Sequence, residues 1–184
     1  MSLTAKDILW PQGRLNPGGI GQHILYAFEE DILTWPTGLN PDTETATSYN
    51  DLVTIATPFI MKTGKQFFKL HCTLEEGEVK FTQVGPRDSK SFENSVEISF
   101  PGNEAEFLGF IAAAANRKIV ALVPEMNGKT RIIGHQLFPA QIESVEGTSG
   151  KKVADGRSTK VVIKSAAGTP APIYTAAIPL TPAA

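Results

Sequence analysis

Three histidines and one cysteine are the side chains of this sequence with the widest chemical repertoire. His23, His71 and His135 lie in three separate predicted strands, and imidazole is a common zinc ligand, so they could converge on a metal ion. Their spacing matches no metal-binding signature, and isolated strand histidines are more often surface or core residues. Cys72 follows His71 in an alternating strand, where a small buried hydrophobe is expected. The sequence therefore predicts no metal site.

Two further groups resemble functional motifs only superficially. Glu29, Glu30 and Asp31 form an acidic cluster at a predicted strand end, which favours a solvated turn over paired catalytic carboxylates. The glycines of residues 18–21 precede a strand and lack the Lys-Ser/Thr of a phosphate-binding loop. No nucleophile elbow, zinc-protease motif, Cys-x-x-Cys or calcium loop is present. We predict no catalytic residue and no cofactor.

Length and composition indicate one ordinary globular domain. The chain has 184 residues, a net charge of −2 and no block of basic residues, which gives no support to a nucleic-acid-binding surface. No signal peptide or membrane-spanning run is evident, which predicts a protein made and kept in the cytoplasm without a membrane partner. We divide the chain into an N-terminal arm (1–19), a single domain (20–178) and a C-terminal tail (179–184).

One helix is predicted over about residues 103–116. Asn103 and Glu106 have the spacing of a capping box, and Arg117 and Lys118 lie where a helix dipole favours positive charge. Its bulky stripe comprises Phe107, Leu108, Phe110, Ile111, Ala114 and Ala115. Its opposite side carries small residues, including Ala105, Gly109, Ala112 and Ala113. Either this side packs closely against a second surface, or alanine is simply a good helix former on an exposed face.

Short strands joined by Gly, Pro and Asn turns make up most of the remaining sequence. Residues 118–123 form a continuous apolar run, which predicts a strand covered on both faces. Asn127-Gly128 then predicts a hairpin with a type I′ turn. The pattern favours a mainly β fold, an antiparallel β-sandwich or partly closed barrel with one packed α-helix.

The segment 34–50 is a long loop without hydrophobic periodicity. Loops of this length inside a compact domain are usually functional, so we interpret it as an arm or binding loop. The predicted subunit interface combines this loop with the small helix side. Its residues are Leu39, Asn40, Thr45, Tyr49, Ala105, Gly109, Ala112 and Ala113.

The order of features between Gly77 and His135 resembles that of a known family. Val-Gly-x-x-Asp at 84–88 precedes a strand, Pro-Gly-Asn at 101–103 precedes the helix, and Asn-Gly at 127–128 marks the hairpin. The likeness continues through Asp155-Gly156 to the ending PAPIYTAAIPL. On these features the chain resembles the tail tube family of phage and prophage virion proteins.

The resemblance implies a non-enzymatic virion subunit, assembled in the bacterial host cytoplasm. Such subunits form homo-oligomeric rings, hexameric in the family, which stack into a tube with other tail proteins and through which DNA passes as cargo. A related tail-terminator or baseplate role fits the same domain. Two other classes stay open: a monomeric carbohydrate-binding or adhesion module using Trp10, Trp35 and Tyr49, and an enzyme whose site is too dispersed to recognise.

Overall fold

The computed structural model describes residues 3, 5–38 and 46–183. Within them lie twelve strands and one α-helix. The strands are β1 (His23–Phe28), β2 (Ile32–Thr34), β3 (Thr54–Ile55), β4 (Ile60–Met61), β5 (Phe68–His71), β6 (Glu78–Val84), β7 (Ser91–Pro101), β8 (Ile119–Pro124), β9 (Thr130–Ile133), β10 (Gln141–Thr148), β11 (Ser158–Ala167) and β12 (Ile173–Tyr174), and the helix is α1 (Ala105–Ala114). Two 3₁₀ turns, Glu29–Asp31 and Val153–Asp155, complete the regular structure.

The strands form two facing sheets and one small ribbon. The larger sheet has the order β3-β12-β9-β8-β1-β5, the smaller sheet the order β10-β11-β7-β6, and β2 pairs with β4. Neighbouring strands are antiparallel, apart from the parallel pair β12 and β3. The prediction of a mainly β, sandwich-like fold with one helix is confirmed, and the described strands form no closed barrel.

The sandwich core lies between the two sheets. Val96 and Ile98 of β7 lie opposite Ile163 and Val161 of β11, and all four side chains are fully buried. This alternation is the period-2 pattern of a strand with one apolar face. The aromatic side of α1 covers one end of the same core through Phe107.

The central strand β8 is buried on both faces, as its continuous apolar run predicts. Ile119, Ala121 and Val123 join the sandwich core, whereas Val120 and Leu122 join a second core on the far side of the larger sheet. That second core is closed by side chains from the β2–β4 ribbon and neighbouring segments, namely Ile32, Ile55, Phe59, Met61, Phe67 and Tyr174.

The helix lies within the predicted range 103–116, but its predicted capping box is wrong. Helix α1 begins at Ala105 with Glu104 as its N-cap residue, which makes no side-chain capping bond. Asn103 instead donates its amide to the Thr148 carbonyl oxygen (3.0 Å) and accepts a hydrogen bond from the Thr159 hydroxyl (2.6 Å). The capping box with Glu106 does not form, because these contacts to β10 and β11 hold the Asn103 side chain away from the helix.

The predicted placement of Arg117 and Lys118 at the positive-charge end of the helix is also wrong. The last turn contains no basic residue, since α1 ends at Ala114. Arg117 and Lys118 lie beyond it and pair with Glu30 and Glu29. Their charges therefore tie the helix-to-β8 connection to the end of β1, and the helix dipole does not account for them.

The predicted hairpin forms, but its turn is different. Gly128 has φ +81°, whereas Asn127 does not adopt positive φ, so the turn is not type I′. The Gly128 amide donates to the Glu125 carbonyl oxygen (3.0 Å), and the Glu125 amide donates to that of Lys129 (2.7 Å). This pattern is that of a longer loop whose glycine supplies the one left-handed position.

Candidate interaction surfaces

The three histidines do not converge. His23 and His71 are cross-strand neighbours on β1 and β5, with ring centroids 5.5 Å apart. His135 is buried elsewhere, where its Nδ1 accepts a hydrogen bond from the Leu137 amide (2.9 Å) and burial lowers its pKa. Across residues 3, 5–38 and 46–183, no three His, Cys, Asp or Glu side chains are grouped so that they could hold a metal ion.

The acidic cluster at the end of β1 has structural partners. Asp31 is buried and pairs with Lys65 at 2.8 Å. Glu30 pairs with Arg117, whose guanidinium carbon also lies 3.4 Å above the Phe28 ring centroid. Burial raises the pKa of the Cys72 thiol, consistent with the predicted small hydrophobe of the core. The two ion pairs tie the end of β1 to Lys65 and to Arg117 after the helix.

The small side of the helix is bare in the single chain. Ala105, Gly109, Ala112 and Ala113 are all exposed. A Cβ atom built at Gly109 would meet no heavy atom within 4 Å. The close packing predicted for this side therefore does not occur within one copy of the protein.

The predicted loop interface is described only in part. Leu39, Asn40 and Thr45 lie outside the described residues, and Tyr49 is exposed in the turn before β3. The end of the loop is ordered by Asp51. Its carboxylate accepts hydrogen bonds from the Thr47 hydroxyl and from the Thr47 and Ser48 amides at 2.7–3.1 Å, which lowers its pKa.

The tail tube resemblance also implies exposed strand edges that pair between subunits, but the sequence did not locate them. Strands β6 and β10 form opposite edges of the four-stranded sheet, and most of their side chains are exposed. Phe81 on β6 lies opposite the buried Asn94, and Val145 on β10 lies opposite the buried Val161, yet both side chains are exposed. An edge strand presents unpaired N–H and C=O groups that can pair with another chain. The alternating pattern of β6 marked it as a strand, but nothing local marked it as an edge.

Apolar side chains accompany both edges. Leu74 precedes β6, while Leu137 and Phe138 precede β10, and all three are more than half exposed. Leu137 and Phe138 also line an open groove of about 460 Å³ next to Lys164. Exposed apolar groups that cluster beside an open edge are typical of protein interaction surfaces.

The outward face of the four-stranded sheet is covered by ion pairs. Lys80 lies 2.6 Å from Glu78 and 3.6 Å from Glu97, which also pairs with Lys160 at 3.8 Å. Lys164 pairs with Glu93 at 2.9 Å. Glu143 acts on Lys164 electrostatically, and Glu146 lies opposite Lys160. Carboxylates outnumber ammonium groups on this face, which is therefore mildly acidic.

An aromatic cleft lies between α1 and the edge strand β5. It has a volume of about 370 Å³. The Phe100 and Phe107 rings stack at 3.9 Å, and Phe110 lies 4.8 Å from Tyr26 between ring centroids. Lys69, Leu70 and His71 line its strand side. Burial raises the pKa of the Tyr26 hydroxyl.

No family model, curated protein or solved structure matches this chain. Among the described residues, no helix combines the length and apolar character needed to cross a membrane.

Proposed function

We propose that this protein is a non-enzymatic structural subunit that self-assembles into rings, with β6 of one copy pairing with β10 of the next. One observation carries the proposal. The four-stranded sheet has two open edges, of seven and eight residues, on opposite sides of the same domain. Edge-to-edge addition of a strand is a common mode of protein association.

Strand direction supports head-to-tail assembly. In an antiparallel sheet of four strands, the two edge strands run in opposite directions. Two copies in the same orientation can therefore join β6 to β10 as an antiparallel pair. Such a contact uses two different surfaces and closes into a ring when the rotation between copies permits it.

The regular part of β10 defines where such pairing would occur. A register shift between Ile142 and Ser144 interrupts the ladder near the start of β10. Bulges protect edges against pairing, so the shift favours contact through the following residues, 144–148. Lys80 does not block the opposite edge, since ion pairs to Glu78 and Glu97 hold it on the outward face.

The outward face of the sheet would line the hole of the ring. The rest of each domain lies on the other side of this sheet, and the outside of a ring has more room for that bulk than the inside. A mildly acidic lining would not bind the phosphates of DNA that passes through the ring. Together with the sequence resemblance, this supports a phage tail tube subunit, forming rings of the family's hexameric kind and contacting other tail proteins in the virion.

The aromatic residues give the rival binding-module hypothesis less support. Trp35 packs against Phe59 at 5.6 Å between ring centroids, beside the second core. Its ring is therefore engaged by the fold, which leaves Trp10 and Tyr49 as the exposed members of the predicted stacking platform.

Light scattering after size-exclusion chromatography, followed by negative-stain imaging, tests the proposal. Wild-type protein should form rings or tubes, whereas Phe81→Lys and Val145→Lys should each remain monomeric, because an inward-pointing charge blocks an open edge. Val153→Lys, on the fully exposed turn 153–155, is the matched control and should assemble.

Mixing the two edge variants gives a sharper result. Each retains one intact edge, so a mixture should form a single junction and yield dimers. Wild-type protein that stays monomeric at high concentration, with no ring or tube in the images, contradicts the proposal.

A further inference from the structure

The N-terminal arm before Ile20 carries a short apolar segment exposed to solvent. Ile8, Leu9 and Trp10 are 82%, 81% and 60% exposed. Within the arm, the Arg14 amide donates to the Pro11 carbonyl oxygen (3.4 Å), and the Arg14 guanidinium lies 5.3 Å from the Trp10 ring centroid. Consecutive large apolar side chains with an aromatic anchor are typical of binding hot spots.

The root of the arm is firmly held. Ile20 is buried, and the Gly21 amide donates to the Pro124 carbonyl oxygen (2.7 Å). The Met126 amide donates to the Gly19 carbonyl oxygen (3.1 Å). Residues 5–18 leave the domain from this fixed point, and the exposure of the apolar segment shows that it does not lie in the cleft of its own copy.

The aromatic cleft offers a matching apolar floor. Tyr26, Phe100, Phe107 and Phe110 contact one another and leave ring faces and edges open to the cleft. The Tyr26 hydroxyl makes no hydrogen bond to any described residue, so it can donate to the backbone of a docked segment. Edge-to-face or offset-stacked contact between these rings and the Trp10 indole is energetically favourable.

The charges at the cleft rim complement those of the arm. Glu104 and Glu106 line the helix side of the cleft, and Lys69 lines the strand side. None of these three forms an ion pair with a described residue. Lys6 and Asp7 directly precede the apolar segment and are likewise unpaired in the described part of the chain. If the segment docks with Lys6 near the two carboxylates and Asp7 near Lys69, each charged side chain of the segment meets an opposite charge.

We propose that residues 6–10 of one copy dock in the aromatic cleft of a second copy. The inference rests on the proposed self-association and adds the arm as a second link between subunits. Exchange of an identical segment between copies is a low-cost route to assembly, because each copy already carries both surfaces.

Disulfide trapping tests this contact. Copies carrying Ala5→Cys are mixed with copies carrying Glu104→Cys and oxidised under assembly conditions. These positions leave Trp10, Lys6 and Glu106 in place. A covalent heterodimer should form at least roughly tenfold faster than with the control partner Val153→Cys, because docking raises the effective concentration of the two thiols. Oxidation of wild-type protein gives the background of disulfide formation through the buried Cys72.

Charge reversal supplies a second readout. Lys6→Glu and Glu106→Lys should each weaken assembly, and the double variant should restore it. The contact is overturned if wild-type protein assembles while the trapped pair forms no faster than the control, or if the Ala5→Cys/Glu104→Cys double variant closes on itself at high dilution. Failure of wild-type protein to associate at all overturns the proposed function and this inference together.

Discussion

The Phe107 ring stacks on the Phe100 ring at a centroid distance of 3.9 Å and an interplanar angle of 10°. This contact joins the first turn of α1 to the end of β7 across the connection at residues 102–104. Phe107 is almost completely buried, so the stack anchors the helix to the sandwich and forms one wall of the aromatic cleft.

Removal of the Phe107 ring should destabilise the fold strongly. Phe107→Ala deletes a buried aromatic side chain and leaves a cavity, which costs about 3 kcal/mol of unfolding free energy. Leu108→Ala, at a largely exposed position on the same helix, should cost less than about 1 kcal/mol. Urea unfolding followed by circular dichroism measures both, and equal losses would contradict the assignment of Phe107 as the anchor.

Asn103 should act through tertiary contacts. Asn103→Ala removes its bonds to Thr148 and Thr159 and should cost about 1–2 kcal/mol. Asn103→Asp keeps the acceptor for the Thr159 hydroxyl but places a carboxylate oxygen against the Thr148 carbonyl oxygen, so it should cost at least as much. Glu104→Ala is the control, since the N-cap side chain makes no capping bond and its removal should be nearly neutral. A larger loss for Glu104→Ala than for Asn103→Ala in chemical unfolding would restore the local capping interpretation.

Two substitutions of Gly109 test helix stability and contact between subunits separately. Gly109→Ala should raise the unfolding free energy by about 0.5–1 kcal/mol, because it removes an exposed helix glycine and the added Cβ meets nothing within 4 Å. If the small side is an interface, Gly109→Lys should abolish assembly while the monomer stays folded. Thermal unfolding and light scattering measure the two effects. Unchanged assembly of Gly109→Lys would remove this side from the interface.

His135 should make stability depend on pH in a defined window. Burial lowers its pKa from 6.5 in the folded protein, so the unfolded chain binds the proton more readily. Its stabilising contribution is complete above about pH 6.5 and is lost as pH falls from there toward the folded-state pKa. Protonation also removes the acceptor for the Leu137 amide.

Urea unfolding between about pH 5 and 8, a range that brackets the ordinary histidine pKa, should therefore show this loss of stability in wild-type protein. The loss should be smaller in His135→Gln. Leu137→Ala retains the donating amide and should keep the wild-type pH dependence. An identical pH profile for His135→Gln would exclude His135 as its source.

The long loop can be tested without disturbing its ordered end. Deletion of residues 39–45 spares Ala46, which is buried, and the hydrogen bonds of Asp51 to Thr47 and Ser48. We expect the circular-dichroism spectrum to stay nearly unchanged while light scattering shows loss of assembly. Rings or tubes that still form after the deletion would show that the loop is not an assembly arm.

The strand and core pattern was largely predictable. Period-2 alternation located β7, and the continuous apolar run of β8 predicted its burial on both faces. These properties depend on which side chains of one strand share a face, and the local sequence fixes this alternation. The small side of the helix was also identified locally, and the structure leaves it bare.

Partners distant in the chain were not predictable in this way. Asn103 reads locally as a helix cap, yet Thr148 and Thr159 hold it because β10 and β11 pass beside the connection. The three histidines share similar strand contexts, but only His23 and His71 become neighbours. Tertiary packing decided both outcomes.

The sequence by itself determined which segments are strands, which faces they bury and where the single helix runs, because periodicity and turn residues act within a few positions. Only the tertiary structure decided that β6 and β10 are open edges and that Tyr26 of β1 meets three aromatic rings of the β7–α1 region in one cleft. The physical reason is that an edge is defined by the absence of a neighbouring strand and a cleft by the meeting of remote segments. Both depend on long-range pairing, which no local pattern encodes.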